Sequence, residues 1–184
     1  TSGTAGAVPA TLPTIAPMTT TLPARVLTLN EMMNEVADIP IGAFLGTQAM
    51  GSSMFKDAAT EKPKVGTTEI WTIVNLTADA HPIHLHLVGF QVLDRRRLNT
   101  TAYHEAQEKF LAGTGPEPVL STFYTGAAVP AHTWESGFKD TVIANPGEAL
   151  RLIANFDLAG RYVWHCHILE HEDNEMMRPL IVEP

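Results

Sequence analysis

Eight histidines and a single cysteine carry most of the chemical capacity of this 184-residue chain. Six of the histidines fall in two tight groups, His81-Pro82-Ile83-His84-Leu85-His86 and His165-Cys166-His167-Ile168-Leu169-Glu170-His171. In an extended strand alternate side chains point to opposite faces. His165 and His167 then share one face, and Cys166 turns to the other. A thiolate combined with imidazoles is a soft, nitrogen-rich donor set that suits copper, and a blue-copper site takes two His, one Cys and a distant weak ligand such as Met. Cys166 offers the sulfur, His171 follows five residues later and Met176 five after that. The remaining imidazole has to come from elsewhere in the chain, and His81, set apart by Pro82, is available. His84 and His86 share a strand face in the same way as His165 and His167. Two such pairs brought together make an all-imidazole cluster, which also suits copper. The short backbone from Cys166 to either neighbouring histidine would link the two sites for electrons.

The elements that must position these groups are short. Gly and Pro number 13 each, which favours turns between short strands over long helices. Strands are expected over 67–76, 83–93, 141–144, 149–155, 161–167 and 180–182, with regular structure beginning at 25–29. Asn30 predicts the cap of a short helix through Val36, and 42–66, rich in Gly, Ser and Met, reads as irregular. A helix is expected over 102–111, ended by Gly113-Thr114-Gly115-Pro116. This pattern predicts an all-β sandwich with one or two short helices. Residues 1–24 carry no charge and hold seven Thr, five Ala and four Pro. They read as an extended linker or strap, leaving 25–184 as the domain.

The two histidine motifs resemble the copper-ligand motifs of the C-terminal cupredoxin domain of multicopper oxidases, with the nearest likeness to bacterial laccases of the spore-coat type and to bilirubin oxidases. The likeness runs through Lys62–Trp71, His81–Arg96, Gly137–Thr141 and Arg161–Pro179, and is interrupted around 98–130. It implies a cupredoxin-like Greek-key β-sandwich. It also implies that His81, Cys166 and His171 bind a type 1 copper with Met176 as axial ligand. His84 would bind the type 2 copper, and His86, His165 and His167 the type 3 pair. Glu172 sits where related laccases place a carboxylate that assists proton delivery to dioxygen. The implied reaction is four one-electron oxidations of a small reducing substrate, coupled to reduction of O2 to two waters.

The trinuclear cluster of that family takes eight histidines, and this chain offers four. The isolated His104 and His132 read as solvent-facing. The expectation is therefore a C-terminal piece that works with a second chain carrying the N-terminal cupredoxin domains, with 1–24 as the former interdomain linker. A stand-alone blue electron-transfer protein is the alternative, and it leaves the paired histidines without a task. Opening on Thr1, the chain reads as a processed or trimmed product with no visible leader, and an extracellular, periplasmic or cell-surface setting is expected. Twelve Lys and Arg against twenty Asp and Glu give a net charge of -8, which argues against nucleic acid as a partner. No apolar run approaches the ~18 residues of a membrane span. Further expectations are a solvated or interface role for Arg95-Arg96-Arg97, either a turn cap or orientation of a ligand imidazole by Asp140, and core filling, ahead of an extra soft Cu(I) site, for Met32, Met33, Met50 and Met54.

Overall fold

The computed structural model describes residues 11, 14–34, 36 and 39–184. Among the described residues, eleven strands form two sheets. The larger sheet holds β1 (Arg25–Asn34), β2 (Ile39–Thr47), β3 (Gly51–Ser53), β4 (Thr67–Asn75), β6 (Phe90–Arg97), β7 (Val129–Pro130) and β9 (Glu148–Phe156), in the order β3-β2-β1-β4-β9-β6-β7. The smaller holds β5 (His81–Leu85), β8 (Thr141–Ala144), β10 (Gly160–Cys166) and β11 (Met177–Val182), in the order β11-β10-β5-β8. The only long helix among the described residues is α1 (Thr100–Leu111), and a single turn, α2 (Leu169–Glu172), follows β10. None of the described helices is long and apolar enough to cross a membrane.

Burial of aromatic side chains joins the sheets. Trp71 of β4 lies 5.7 Å from Phe156 of β9 and 5.7 Å from Trp164 of β10, and all three are 0% exposed. Each indole N–H has an acceptor: Trp71 donates to Glu69 Oε2 at 2.9 Å and Trp164 to the buried Glu61 Oε2 at 3.3 Å. Such satisfaction is what lets a tryptophan sit in a core without leaving a polar atom unpaired.

Strands β4, β8, β9, β10 and β11 and helix α1 form where the pattern places them. Several expectations are corrected. Met32, Met33, Met50 and Met54 are not core residues, since they are exposed. Residues 30–34 continue β1 and do not open a helix, because Asn30 to Asn34 pair in register with β2, from Phe44 back to Ile39. The stretch 42–66 is partly regular, holding most of β2 and all of β3. The strand expected over 83–93 is two strands in different sheets. Leu87, at φ 79, turns the chain out of β5, and Phe90 starts β6. Of the segment 1–24, residues 1–10, 12 and 13 lie outside the described residues. Residues 14–24 carry no strand or helix. Met18 N–H donates to Gln91 Oε1 at 2.8 Å, and Gln91 Nε2 returns a bond to the Ala16 carbonyl at 2.8 Å.

The triple-arginine stretch is not a solvated run. Arg95 is 5% exposed and donates to both carboxylate oxygens of buried Glu135, at 2.8 and 2.5 Å. Arg96 lies over the Tyr124 ring at 5.1 Å. The stretch belongs to β6, where a register shift between Val92 and Asp94 breaks the alternation and brings Arg95 opposite Leu150, on the face that holds Val92.

Candidate metal centre

Strands β5 and β10 run antiparallel, with His84 opposite His165 and Ile83 opposite Cys166. Residues directly opposite in such a pair project on the same face. The register therefore sorts the donors into two groups. His81, Ile83 and Leu85 of β5 face the core, as does Cys166. His84 and His165 face the other way, with ring centroids 5.3 Å apart.

On the inner face, Cys166 Sγ lies 3.7 Å from His81 Nδ1 and 3.9 Å from His171 Nδ1, and the two nitrogens are 3.2 Å apart. A point equidistant from these three atoms lies about 2.1 Å from each, the length of a metal bond to nitrogen or sulfur. The His81 ring is set by its far edge. Thr77 Oγ1 sits 2.6 Å from His81 Nε2, and the Thr77 hydroxyl proton goes to Asn75 Oδ1 or the Asp79 carbonyl. That oxygen must then accept from His81 Nε2–H, which leaves Nδ1 bare toward the sulfur. Asn75 completes the support by donating to the carbonyls of Asp79 and Ala144. Met176 is 0% exposed, packs in the same core cluster as Cys166, donates its N–H to the His171 carbonyl, and accepts from the Cys166 N–H. Met177 instead lies on β11 opposite His165.

Burial pushes the Cys166 thiol up to about 11. It also lowers His81 to about 4, with the neighbouring His171 adding to the effect. Both shifts favour the uncharged side chains in the absence of a cation. A cation seated between the three atoms would displace the thiol proton and find one imidazole already deprotonated.

On the outer face, donor atoms of His84, His86 and His165 all lie within 4.8 Å of one another. His86 Nε2 is 3.1 Å from His165 Nε2. His167 completes the group, with its ring 5.7 Å from that of His84 and 5.4 Å from that of His165. Backbone carbonyls fix two of these rings. His84 Nδ1 donates to the Asp140 carbonyl at 2.8 Å, and His165 Nδ1 to the Cys166 carbonyl at 3.0 Å. Each bond leaves the opposite nitrogen bare toward the cluster. Asp140 thus orients an imidazole through its backbone. Glu172 Oε2 stands 3.3 Å from His165 Nδ1. The structure brings together every histidine of the two motifs. His104 and His132 stay apart and exposed, the latter stacked on Trp134 at 4.4 Å.

Two contributors escape a reading of the sequence. One is the Asn75-Thr77-Asp79 network behind His81, whose signal is a polar turn just before the first histidine motif. The other is Glu31. Its Oε1 has no hydrogen-bond partner and lies 3.6 Å from His81 Nε2. Burial raises its carboxyl above the usual range, and nearby Asp79 adds to the rise. An acid two residues beyond inward-facing Leu27 and Leu29 is the available signal, once 25–34 is taken as a strand.

A β-sandwich that aims one Cys and two His inward, and four His outward from the same pair of strands, defines a cupredoxin-like copper domain. Residues 19–184 match the Multicopper oxidase family profile. The chain belongs to the multicopper oxidase family. It is 53% identical over 137 residues to a laccase of Bacillus subtilis, covering 73% of this chain and 24% of that protein. It is 48% identical over 132 residues to a laccase of Bacillus stratosphericus, covering 71% and 23%. The chain thus spans about a quarter of the length of these curated relatives. Its fold superposes on a multicopper oxidase from Campylobacter jejuni with a TM-score of 0.64 at 20% identity, over 91% of this chain and 31% of that one. A multicopper oxidase from Pediococcus acidilactici gives a TM-score of 0.61 at 26% identity, over 95% and 29%.

Proposed function

We propose that this chain is the C-terminal cupredoxin domain of a laccase-like oxidase, with 25–184 as the domain and 1–24 as a linker. In this reading His81, Cys166, His171 and Met176 hold a type 1 copper. His84 serves a type 2 copper, and His86, His165 and His167 serve a type 3 pair. The observation that carries the reading is the two-faced strand end: His165 and Cys166 are consecutive, yet each faces its own donor cluster. Copper bound at the two sites would supply one-electron oxidation of a small reducing substrate and four-electron reduction of O2 to water.

The chain's own residues divide the remaining work. His171, half-buried, borders a cleft of about 260 Å3 together with Ile41, Ala43 and Asn174, so a substrate seated there touches a ligand edge directly. Cys166 joins the two clusters through its own peptide bonds. Glu172, a quarter exposed beside His165, can take protons from water and hold them at the edge of the imidazole cluster. Four imidazoles make half of an eight-histidine cluster. The other half belongs to a second chain, or a preceding part of a longer protein, that carries the N-terminal cupredoxin domains. An extracellular, periplasmic or cell-surface location is part of the proposal.

The test is the copper content of the native, unfractionated protein, counted per Cys166. About four coppers, with the remaining domains present, is the expected result. About one copper on a lone chain overturns it in favour of a blue electron-transfer protein. The double variant His84→Ala/His86→Ala should lose O2 reduction and keep its blue colour.

A further inference from the structure

Behind the inner donor cluster lies a carboxyl that no cationic side chain matches. Glu31 projects from β1 on the face that carries Leu27 and Leu29, just past the point where Leu29 and Asn75 end the pairing of β1 with β4. Its side chain is 6% exposed, and its Oε1 has no hydrogen-bond partner. That oxygen lies 3.6 Å from His81 Nε2, and His81 is the only ion-pair partner of Glu31 among the described residues.

Other acids with little exposed surface are matched differently. Glu135 meets the Arg95 guanidinium, Asp94 meets Arg151, and Glu69 meets Arg25. Glu61 accepts from Thr60 Oγ1 and from the Trp164 indole. Beside the Glu31 carboxyl lie the Ala78 N–H and Thr77, while Asp79 brings a second negative charge. A buried carboxylate left short of donors and of a cation is costly, and a nearby positive charge offsets that cost. The His81 imidazole does not supply the charge. Its Nε2–H serves Thr77 Oγ1 at 2.6 Å, and its Nδ1 is bare toward Cys166 Sγ. A cation held by His81 Nδ1, Cys166 Sγ and His171 Nδ1 supplies it, one imidazole ring away from Glu31.

We propose that Glu31 is the counter-charge of the inner metal site and selects the divalent, oxidised form of the ion held there. One thiolate and two neutral imidazoles leave a divalent cation with one net positive charge, which the Glu31 carboxylate balances. A monovalent cation is already balanced by the thiolate, and the same carboxylate then stands unmatched. In an interior that excludes water, a charge so close acts with little screening. Glu31 therefore favours Cu(II) over Cu(I) and holds the reduction potential down. Acting through His81, it is a positioning residue and not a ligand. This role rests on the reading of His81, Cys166 and His171 as a copper site. It is independent of the outer cluster and of the remaining domains.

The experiment compares Co(II) and Ag(I), stand-ins for Cu(II) and Cu(I), on the unmodified chain and on Glu31→Gln and Glu31→Met. The Co(II)–thiolate charge-transfer absorption reports binding at Cys166, the only thiol of the chain. Ag(I) is followed by its displacement of that signal. Both variants should weaken Co(II) binding about tenfold or more and leave Ag(I) binding within about twofold, since only the divalent ion loses a counter-charge. With copper, the reduction potential should rise by about 59 mV for each tenfold loss of Cu(II) preference, the one-electron equivalent. Glu31→Met, apolar and similar in length, provides the comparison if Glu31→Gln does not fold. Unchanged Co(II) affinity in a folded variant, or equal losses for Co(II) and Ag(I), overturns the proposal. Absence of the Co(II)–thiolate signal in the unmodified chain overturns the copper reading of the three donors, and the proposal with it, so the two failures are distinguishable.

Discussion

Cys166 and His81 meet a cation from protonation states that differ in sign. With the thiol raised to about 11 and His81 lowered to about 4, neutral solution finds one proton to be lost, from sulfur, and none from this imidazole. Higher pH therefore favours metal uptake at this pair. Affinity for copper should rise about tenfold per pH unit between pH 6.5 and 8.5, measured by competition against a chelator of known pH behaviour. Stability of the copper-free protein has its own sign. The unfolded chain binds the His81 proton near pH 6.5 and the folded one near 4, so the unfolded state holds more protons in between. The stabilising contribution is present above 6.5 and is lost as pH falls toward 4, at up to ~1.4 kcal/mol per pH unit for this one group. Urea unfolding across that window checks it. Met176 and Met177 separate by the same kind of argument. If Met176 is the axial ligand of the proposed type 1 site, Met176→Leu should raise its reduction potential, because a weak axial donor helps stabilise the oxidised metal. Met177→Leu should leave it in place, and a redox titration reads both.

At the scale of elements, the turn after β5 holds a non-glycine residue in left-handed backbone, Leu87 at φ 79. That conformation costs an L-residue roughly 1–2 kcal/mol, against about 0.5–1 kcal/mol of extra chain entropy that glycine loses on folding. Leu87→Gly should therefore stabilise the domain by about 0.5–1 kcal/mol, seen as a higher urea midpoint with unchanged slope. The turn matters because it ends β5 just after His84. The His86 N–H donates to the Val163 carbonyl and the His167 N–H to the Pro82 carbonyl, so the chain leaves both histidine motifs already tied together. On the opposite edge of β5, pairing with β8 brings the Asp140 carbonyl to His84 and Ala144 opposite His81.

The whole molecule depends on contact between unequal sheets of seven and four strands. Trp71 is the side chain of the large sheet that meets Trp164, two residues before Cys166, in the small one. Trp71→Ala should cost about 3–5 kcal/mol, a large part of the ~5–15 kcal/mol that holds a typical domain. Because Trp164 shares a strand with His165 and Cys166, the variant should also broaden the blue absorption band of the copper-loaded protein. Denaturant titration and the visible spectrum check the two effects together. Of the outward histidines, His86 and His167 are exposed, His84 is half-buried and His165 is buried behind them. This is where a complementary set of imidazoles from the remaining domains would meet them.

The sequence by itself determined what depends on short separations. Alternation within His165-Cys166-His167 is a property of any extended strand, so the division of that tripeptide between two sites needed no partner strand. Helix α1 and strands β4, β8 and β9 were equally legible, because local pattern and turn residues agree there. The motif spacing also carried the family likeness. Tertiary structure alone decided what depends on register. His81 reaches Cys166 across a separation of 85 residues only because β5 pairs with β10 so that His84 faces His165. Asn30 has the chemistry of a helix cap, but ladder pairing with β2 outweighs that weak local preference. The split of 83–93 followed from the two sheets competing for one apolar run, and only sheet order settles which part each takes. Burial of Arg95 against Glu135 and of Glu31 beside His81 joins groups from distant segments. Charged residues in isolation read as solvent-facing, and the partner that changes this is supplied only by the fold.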